Sequence, residues 1–139
     1  MNGITIGEMK LGDSASVTKT VSETDVYLYA GISGDFNPAH VNQAEAEKGM
    51  FGKRIAHGML SAGFISAVLG TTLPGPGTIY MGQELRFTKP VFFGDTITAT
   101  VTVAELIPEK NRVKLETVCT NQRGETVITG TATVMPPKA

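Results

Sequence analysis

Residues 57–77, HGMLSAGFISAVLGTTLPGPG, form the middle of a stretch in which no Asp, Glu, Lys or Arg occurs between Arg54 and Glu84. The most apolar part, residues 59–73, is too short to cross a bilayer, which takes about 20 mostly apolar residues. Glycines and serines also interrupt it. We therefore expect a helix that opens at His57-Gly58 and ends before the Pro-Gly repeat. Because it is apolar all round, this helix should lie buried inside a domain.

Segments that alternate apolar and polar residues follow this helix, a pattern typical of half-buried strands. They are residues 79–87, 96–103, 113–120 and 128–134. A further strand is expected at residues 14–21, and residues 121–124 predict a hairpin turn. A long apolar helix and several one-faced strands cover each other when a curved antiparallel sheet wraps around the helix. The sequence therefore predicts an α+β fold in one domain spanning residues 1–139.

The overall charge is nearly neutral, with 12 Lys and Arg against 13 Asp and Glu. Nucleic acid or an acidic membrane surface would require a basic excess, so we expect neither as a partner. A small anionic ligand held by two or three cations remains compatible with this balance. Cys119 is the single cysteine, which excludes an intrachain disulfide. The N-terminus lacks the basic start and apolar run of a secretory signal, so we expect a cytoplasmic protein.

Two short helices with a loop between them are predicted upstream of the apolar stretch. Ser22 is a suitable N-cap with Asp25 in the first turn, and the helix that follows should end near residues 31–34. The loop GDFNPAH, residues 34–40, contains an Asn-Pro pair that marks a turn. A second short helix is expected near residues 43–48.

This loop carries a carboxylate and an imidazole five residues apart. If the turn brings Asp35 and His40 to one water molecule, one group can take a proton from the water. The other group then handles the proton on the neighbouring carbon, as hydration or dehydration requires. The alternative is that Asp35 and Asn37 hydrogen-bond their own turn and that His40 is an ordinary surface residue. The spacing alone leaves both interpretations open.

The start of the apolar helix is a second candidate site. Its first N–H groups lack intrahelical partners and carry the positive end of the helix dipole, and Gly58 lets a ligand approach the backbone. A thioester carbonyl docked there would have its developing oxyanion stabilised. Alternatively, Gly58 is a packing residue and His57 an ordinary helix-start residue. A buried Ser66 would either bond a carbonyl one turn back or orient Asp35.

These residues resemble the MaoC-like, (R)-specific enoyl-CoA hydratases, such as those that supply polyhydroxyalkanoate synthesis. Residues matching the hydratase segment of that family are Tyr29, Ile32, Ser33, Gly34, Asp35, Asn37, Pro38 and His40. The helix opening His57-Gly58-Met59-Leu60, the strand at residues 82–87, Lys89-Pro90-Val91 and Gly94-Asp95 are similar too. The similarity extends from about Gly7 to Val134. Departures from the pattern occur at the flanking positions Ala39, Asn42 and Ser61.

The resemblance implies the hot-dog fold, in which a curved antiparallel β-sheet wraps around a long central α-helix. It also implies reversible syn hydration of trans-2-enoyl-CoA to (R)-3-hydroxyacyl-CoA, with no metal and no redox cofactor. Asp35 and His40 would hold the catalytic water, Gly58 would offer its N–H to the thioester oxygen, and Ser66 would support the aspartate. Asn37, His57 and Lys89 are the candidate substrate contacts.

Further expectations concern the assembly and the coenzyme A phosphates. Related hot-dog proteins form dimers whose sheets join edge to edge, so we expect a homodimer that can associate further. The candidate cations for the phosphates are Lys89, Arg86, Lys53 and Arg54, for which surface solubility is the simpler explanation. Three other functions remain open: a dehydratase acting on acyl carrier protein, a thioesterase, and a non-catalytic acyl-CoA-binding module.

Overall fold

The computed structural model describes residues 2–139, and its helices and strands form an α+β arrangement. The strands are β1 (Ser14–Thr20), β2 (Ile79–Phe87), β3 (Thr96–Ile107), β4 (Arg112–Thr120) and β5 (Thr126–Met135). The helices are α1 (Glu23–Ser33), α2 (Pro38–Val41), α3 (Gln43–Ala46) and α4 (Gly58–Thr71). None of these helices is long and apolar enough to span a bilayer.

The five strands form one antiparallel sheet in the order β1-β3-β4-β5-β2. Helix α4 lies against this sheet and contacts β1, β2, β3 and β4. The core between them includes Ile65 and Leu69 from the helix and Ile97 and Leu115 from the sheet, each at most 1% exposed. Burying such a side chain fully contributes about 1.5–3 kcal/mol. The expected packing of one long helix on an antiparallel sheet is therefore present.

The alternation predicted for the last three strands is confirmed in the burial of their side chains. Ile97, Ala99, Val101 and Val103 of β3 are all buried, whereas the threonines between them are partly exposed. The same alternation continues in β4 and through most of β5. Period two places successive side chains on opposite faces, so each of these strands lines the core with one face only.

Helix α4 differs from the sequence prediction, because it is not covered on all sides. A stripe along one face is exposed in the single chain, and we call it the open face of α4. It consists of Met59, Gly63, Ser66, Ala67 and Gly70. In the single chain, therefore, the helix is not buried all round as predicted, and Ser66 is exposed rather than buried. The exposed residues are small or apolar, and hydrophobicity alone does not distinguish them from core residues.

Strand β2 is also more exposed than its alternating pattern predicted. Ile79, Met81 and Phe87 are between 50% and 56% exposed, although the pattern placed them towards the core. The pairing of β2 with β5 shifts register between Tyr80 and Gly82. Such an irregularity breaks the inward-outward alternation. β2 is also the last strand of the sheet, so one of its edges has no partner within residues 2–139.

Candidate active site

The end of helix α1 sets the position of Asp35. Ser22 caps the start of this helix by accepting the N–H of Asp25, as the sequence predicted. At the other end Gly34 adopts a left-handed conformation with φ of 80°. Glycine tolerates this conformation because it has no side chain that could clash. The Ser33 hydroxyl donates to the Tyr29 carbonyl at 2.8 Å and accepts the Asp35 N–H at 3.1 Å. The chain therefore leaves α1 in a fixed direction.

Two further hydrogen bonds hold the Asp35 residue itself. Its Oδ1 accepts the backbone N–H of Asn37 at 3.1 Å, and its backbone carbonyl accepts the Nε2–H of His57 at 2.9 Å. Oδ2 has no hydrogen-bond partner elsewhere in the described chain. Asp35 is exposed in the single chain, so this oxygen is available to a water molecule or a substrate.

A one-turn helix brings His40 back towards Asp35. The sequence predicted only a turn at Asn37-Pro38, but Asn37 caps helix α2 by accepting the N–H of Ala39 at 3.0 Å, and Pro38 is its first residue. Proline fits that position because its missing N–H would have no helical partner. Asn37 therefore stabilises the loop and does not line the cavity described below, which is a different role from the predicted substrate contact.

The His40 side chain has a defined orientation. It is 9% exposed, and its Nδ1–H donates to the carbonyl of Ile55 at 2.7 Å. Since a carbonyl oxygen can only accept, Nε2 of the neutral ring carries the lone pair. One side-chain oxygen of Asp35 and one ring nitrogen each of His40 and His57 lie within 4.8 Å of one another. The structure therefore brings the carboxylate and the imidazole together, as the sequence predicted.

His57 completes this cluster and, unlike His40, does not line the cavity. Its ring centroid lies 3.8 Å from that of His40 with 30° between the planes, and His57 is 2% exposed. The lone pairs of imidazoles lie in the ring plane, so two stacked rings do not converge readily on one metal ion. The absence of a metal stays a prediction, and this stacking is consistent with it.

A cavity of about 400 Å³ adjoins the cluster and is largely apolar. Its lining includes His40, Gly58, Ser61, Phe87, Lys89, Val91, Val127 and Ile128. This volume lies within the range of small-molecule binding sites. His40 belongs both to the cluster and to the cavity wall, whereas Asp35 and His57 do not line the cavity. A substrate in the cavity would therefore meet the cluster at the His40 ring.

Gly58 lies on the cavity wall at the first position of α4. Its backbone N–H has no acceptor among the described residues. A Cβ at this position would lie 2.6 Å from two ring atoms of Phe87, so any residue larger than glycine would require that ring to shift. The helix start can therefore present an N–H to a carbonyl oxygen in the cavity, as the sequence predicted.

Ser66 lies on the open face of α4 and forms no hydrogen bond with Asp35 within the described residues. The predicted support of Asp35 by Ser66 is therefore not made within one chain. Nothing in the sequence pattern separates this serine from Ser61, which lies on the buried face of the helix. Ser61 is fully buried, and its hydroxyl has no hydrogen-bond partner in the part of the chain that the structure describes.

The predicted cations mostly have partners on the protein. Lys89 lines the cavity and pairs with Glu125 at 2.6 Å. Together with hydrogen bonds from Arg123 and Asn121, this lysine lowers the pKa of Glu125 to about 2. Arg54 lies 3.3 Å from Glu23 and donates to the Tyr27 hydroxyl. The Lys53 ammonium lies 4.2 Å from the Phe92 ring centroid, and Arg86 is an exposed residue of β2.

Two parts of the site were missed by sequence reasoning. The Ile55 carbonyl orients His40, but a backbone carbonyl leaves no residue-type signal. The Phe87 ring closes against Gly58, although these residues are far apart in the chain. The aromatic residue at the end of β2 was a visible signal, but its contact depends on how the sheet meets the start of α4.

Comparison with known proteins assigns the chain to a family. A model described as a MaoC-like domain matches residues 8–131. The chain belongs to the MaoC-like family. The resemblance inferred from the sequence is thereby confirmed, and the α+β arrangement is the hot-dog fold of these proteins.

Similar MaoC-like proteins include two curated enzymes and a solved structure. The chain is 62% identical over 130 residues to the (R)-specific enoyl-CoA hydratase of Rhodospirillum rubrum. The matched region covers 94% of this chain and 90% of the relative. It is 46% identical to the 3-hydroxybutyryl-CoA dehydratase of Methylorubrum extorquens, covering 94% and 83% of the two chains. The unliganded R-hydratase of Pseudomonas aeruginosa superimposes with a TM-score of 0.93 at 46% identity, covering 99% of this chain and 88% of that one.

Proposed function

We propose that the chain is an (R)-specific enoyl-CoA hydratase that reversibly adds water across the double bond of a trans-2-enoyl-CoA. It is thus a hydro-lyase, as its relatives of high identity are. The observation that carries the catalytic assignment is the convergence of Asp35 and His40 within 4.8 Å beside an apolar cavity that begins at Gly58. An apolar cavity with a few polar groups at one end suits an acyl chain with a reactive end.

The two side chains suit the two proton transfers of the reaction. The oxygen of water bonds to C3 of the enoyl group, and a proton is added at C2. Within residues 2–139, Oδ2 of Asp35 and Nε2 of His40 have no hydrogen-bond partner. One of these groups takes the proton that water loses, while the other holds a proton at the start of the step and gives it to C2. Transfer of the proton taken from water between the two groups restores the starting state. A substrate that presents one face of its double bond to both groups receives the two parts of water on that face.

The backbone N–H of Gly58 stabilises the negative charge that develops during the reaction. As water attacks C3, negative charge moves through the double bond onto the thioester oxygen. The unpaired N–H at the start of α4 lies where it can donate to that oxygen, and the helix dipole favours the negative charge. No step in this mechanism requires a metal or a redox group, so their absence stays part of the proposal.

We also propose a homodimer as the working form. The open face of α4 and the unpaired edge of β2 together expose Met59, Ile79 and Met81 in the single chain. Long apolar strand edges are seldom left open in native proteins, and a two-fold axis would let β2 pair with β2 of a second copy. Such packing would cover Ser66, so its support of an aspartate would act across the interface.

Mass measurement in solution tests the dimer. Light scattering coupled to size exclusion should give twice the chain mass, and Met81→Lys should shift the protein towards the single-chain mass because a lysine blunts the strand edge. A wild-type protein that is monomeric and fully active would contradict this part of the proposal. A cytoplasmic location and association beyond the dimer stay predictions.

The catalytic proposal is tested with crotonyl-CoA. Hydration removes the conjugated absorbance of the enoyl thioester, and the 3-hydroxybutyryl-CoA formed should be the R enantiomer on chiral analysis. Turnover of the carrier-protein thioester without turnover of the coenzyme A ester would favour the carrier-protein dehydratase. Release of free thiol would favour a thioesterase. Binding of crotonyl-CoA without any turnover would favour a non-catalytic binding module.

A further inference from the structure

Both catalytic candidates are in contact with the same buried residue, His57. Its Nε2–H donates to the backbone carbonyl of Asp35 at 2.9 Å, and its ring lies on the ring of His40 with centroids 3.8 Å apart. The ring of Tyr29 also contacts it, with centroids 4.8 Å apart. His57 does not line the cavity, so it acts on the reaction through the residues that it holds in place.

We propose that His57 is a positioning residue that holds Asp35 and His40 in a fixed orientation relative to each other. This inference rests on the proposed hydratase function and goes further, since the sequence offered His57 only as a substrate contact or as an ordinary helix-start residue. The hydrogen bond fixes the peptide group that follows the Asp35 side chain. The ring stack fixes the plane of His40, whose Nδ1–H is already held by Ile55. The free Oδ2 and Nε2 therefore keep one relative orientation.

The second nitrogen of His57 supports a functional reason for this residue. Since the carbonyl of Asp35 can only accept, the neutral ring carries its proton on Nε2 and a lone pair on Nδ1. That Nδ1 is buried and has no hydrogen-bond partner within residues 2–139. A buried polar atom without a partner costs stability. An apolar ring would avoid this cost, so the imidazole serves the hydrogen bond to Asp35.

The placement of His57 explains how the two elements stay aligned. It is the N-cap residue of α4, so it moves with the helix whose next residue, Gly58, offers the N–H for the thioester oxygen. Asp35 and His40 belong to the loop and short helix before it. His57 thus ties the acid–base pair to the oxyanion donor. A misplacement of about 1 Å between such groups can lower a rate by roughly 100-fold.

Two substitutions separate the hydrogen bond from the stack. His57→Phe keeps a flat ring on His40 and removes the donor to Asp35. His57→Gln keeps an N–H donor at a similar reach and removes the ring. We expect His57→Phe to lower kcat for crotonyl-CoA by about 10- to 100-fold while KM changes by less than about 3-fold, because the cavity wall is untouched. We expect His57→Gln to be less impaired, with a decrease in log kcat at least about a third smaller than that of His57→Phe, because glutamine keeps an N–H donor.

A matched control is available at Thr78. Its hydroxyl is also buried and has no partner among the described residues, but Thr78 lies between α4 and β2, outside the cluster. Thr78→Val removes a polar atom of the same kind, and we expect it to keep both the thermal midpoint and the turnover. His57→Phe should also keep its thermal midpoint within a few degrees of the wild type.

The outcomes are distinct. Lower kcat in His57→Phe with unchanged KM, unchanged thermal midpoint and partial recovery in His57→Gln supports the positioning role. Wild-type kcat in His57→Phe, or equal losses in both variants together with a lowered thermal midpoint, overturns it. If the wild-type protein itself does not hydrate crotonyl-CoA, the proposed function fails first, so the two failures are distinguishable.

Discussion

Gly58→Ala tests whether the start of α4 must stay open to the substrate. The added Cβ would lie 2.6 Å from two ring atoms of Phe87, whereas ordinary carbon contacts begin near 3.5 Å. The ring therefore has to retreat by about 1 Å. Phe87 is 52% exposed at the end of an edge strand, so it can move. We expect a stability loss near the lower limit for overpacking, about 1 kcal/mol.

The effect of Gly58→Ala on the rate should be much larger than on stability. The added methyl group and the displaced Phe87 ring both lie on the cavity wall beside the N–H of Gly58, where the proposed mechanism places the thioester oxygen. A displacement of about 1 Å at that point predicts roughly 100-fold slower turnover, which corresponds to about 2.7 kcal/mol in the barrier. The assay is the loss of crotonyl-CoA absorbance, and the stability readout is urea unfolding.

Two further variants make the Gly58 test decisive. Gly31→Ala is a matched control, because a Cβ there meets nothing within 4 Å and the residue lies in helix α1. It should keep wild-type turnover. The double variant Gly58→Ala/Phe87→Ala removes the clash with the ring but not the methyl group. Turnover of Gly58→Ala within about 3-fold of wild type, or full recovery in the double variant, would refute the reasoning.

Three other predictions concern stability and reactivity. Glu125 has a pKa lowered to about 2 from a usual value of 4.5, so its contribution to stability is complete above about pH 4.5 and is lost as the pH falls towards 2. Glu125→Gln should therefore flatten the fall of the thermal midpoint in that interval, and an unchanged slope would contradict it. Burial raises the pKa of Cys119 to about 12, so a disulfide reagent at pH 8 should label it only after unfolding; labelling of the native protein within minutes would contradict this. Ile65→Ala removes a fully buried side chain of α4 and should lower the free energy of unfolding by about 2–5 kcal/mol in urea, whereas a loss below about 1 kcal/mol would show that the site is not well packed.

Local sequence patterns were sufficient to predict the helices and strands whose surroundings stay the same along most of their length. Strands β3, β4 and β5 have one face on the core along most of their length, so their period of two is visible in the sequence. The start of α1 was predicted because Ser22 and Asp25 make the cap through residues only three apart. The spacing of Asp35 and His40 left their pairing open, and it was the resemblance to the family that placed both side chains at the catalytic water.

Other features depend on contacts that a local pattern does not contain. Asn37-Pro38 fits both a turn and the first residues of a helix, and the structure takes the helix. The open face of α4 is as apolar as a face that packs in the core. An apolar face can be covered by the sheet of the same chain or by another subunit, and its hydrophobicity does not distinguish the two. The role of His57 depends on a carbonyl 22 positions away, so its residue type alone suggested a substrate contact.

The central claim is that Asp35 and His40 act together on one water molecule. The most direct measurement is the turnover of crotonyl-CoA by Asp35→Asn, His40→Gln and the double variant, each with a wild-type thermal midpoint. We predict that each single change lowers kcat by about 100-fold or more and that the double variant is little slower than either, because the two groups act as a unit. Retention of more than about a tenth of wild-type kcat by either single variant would contradict the account.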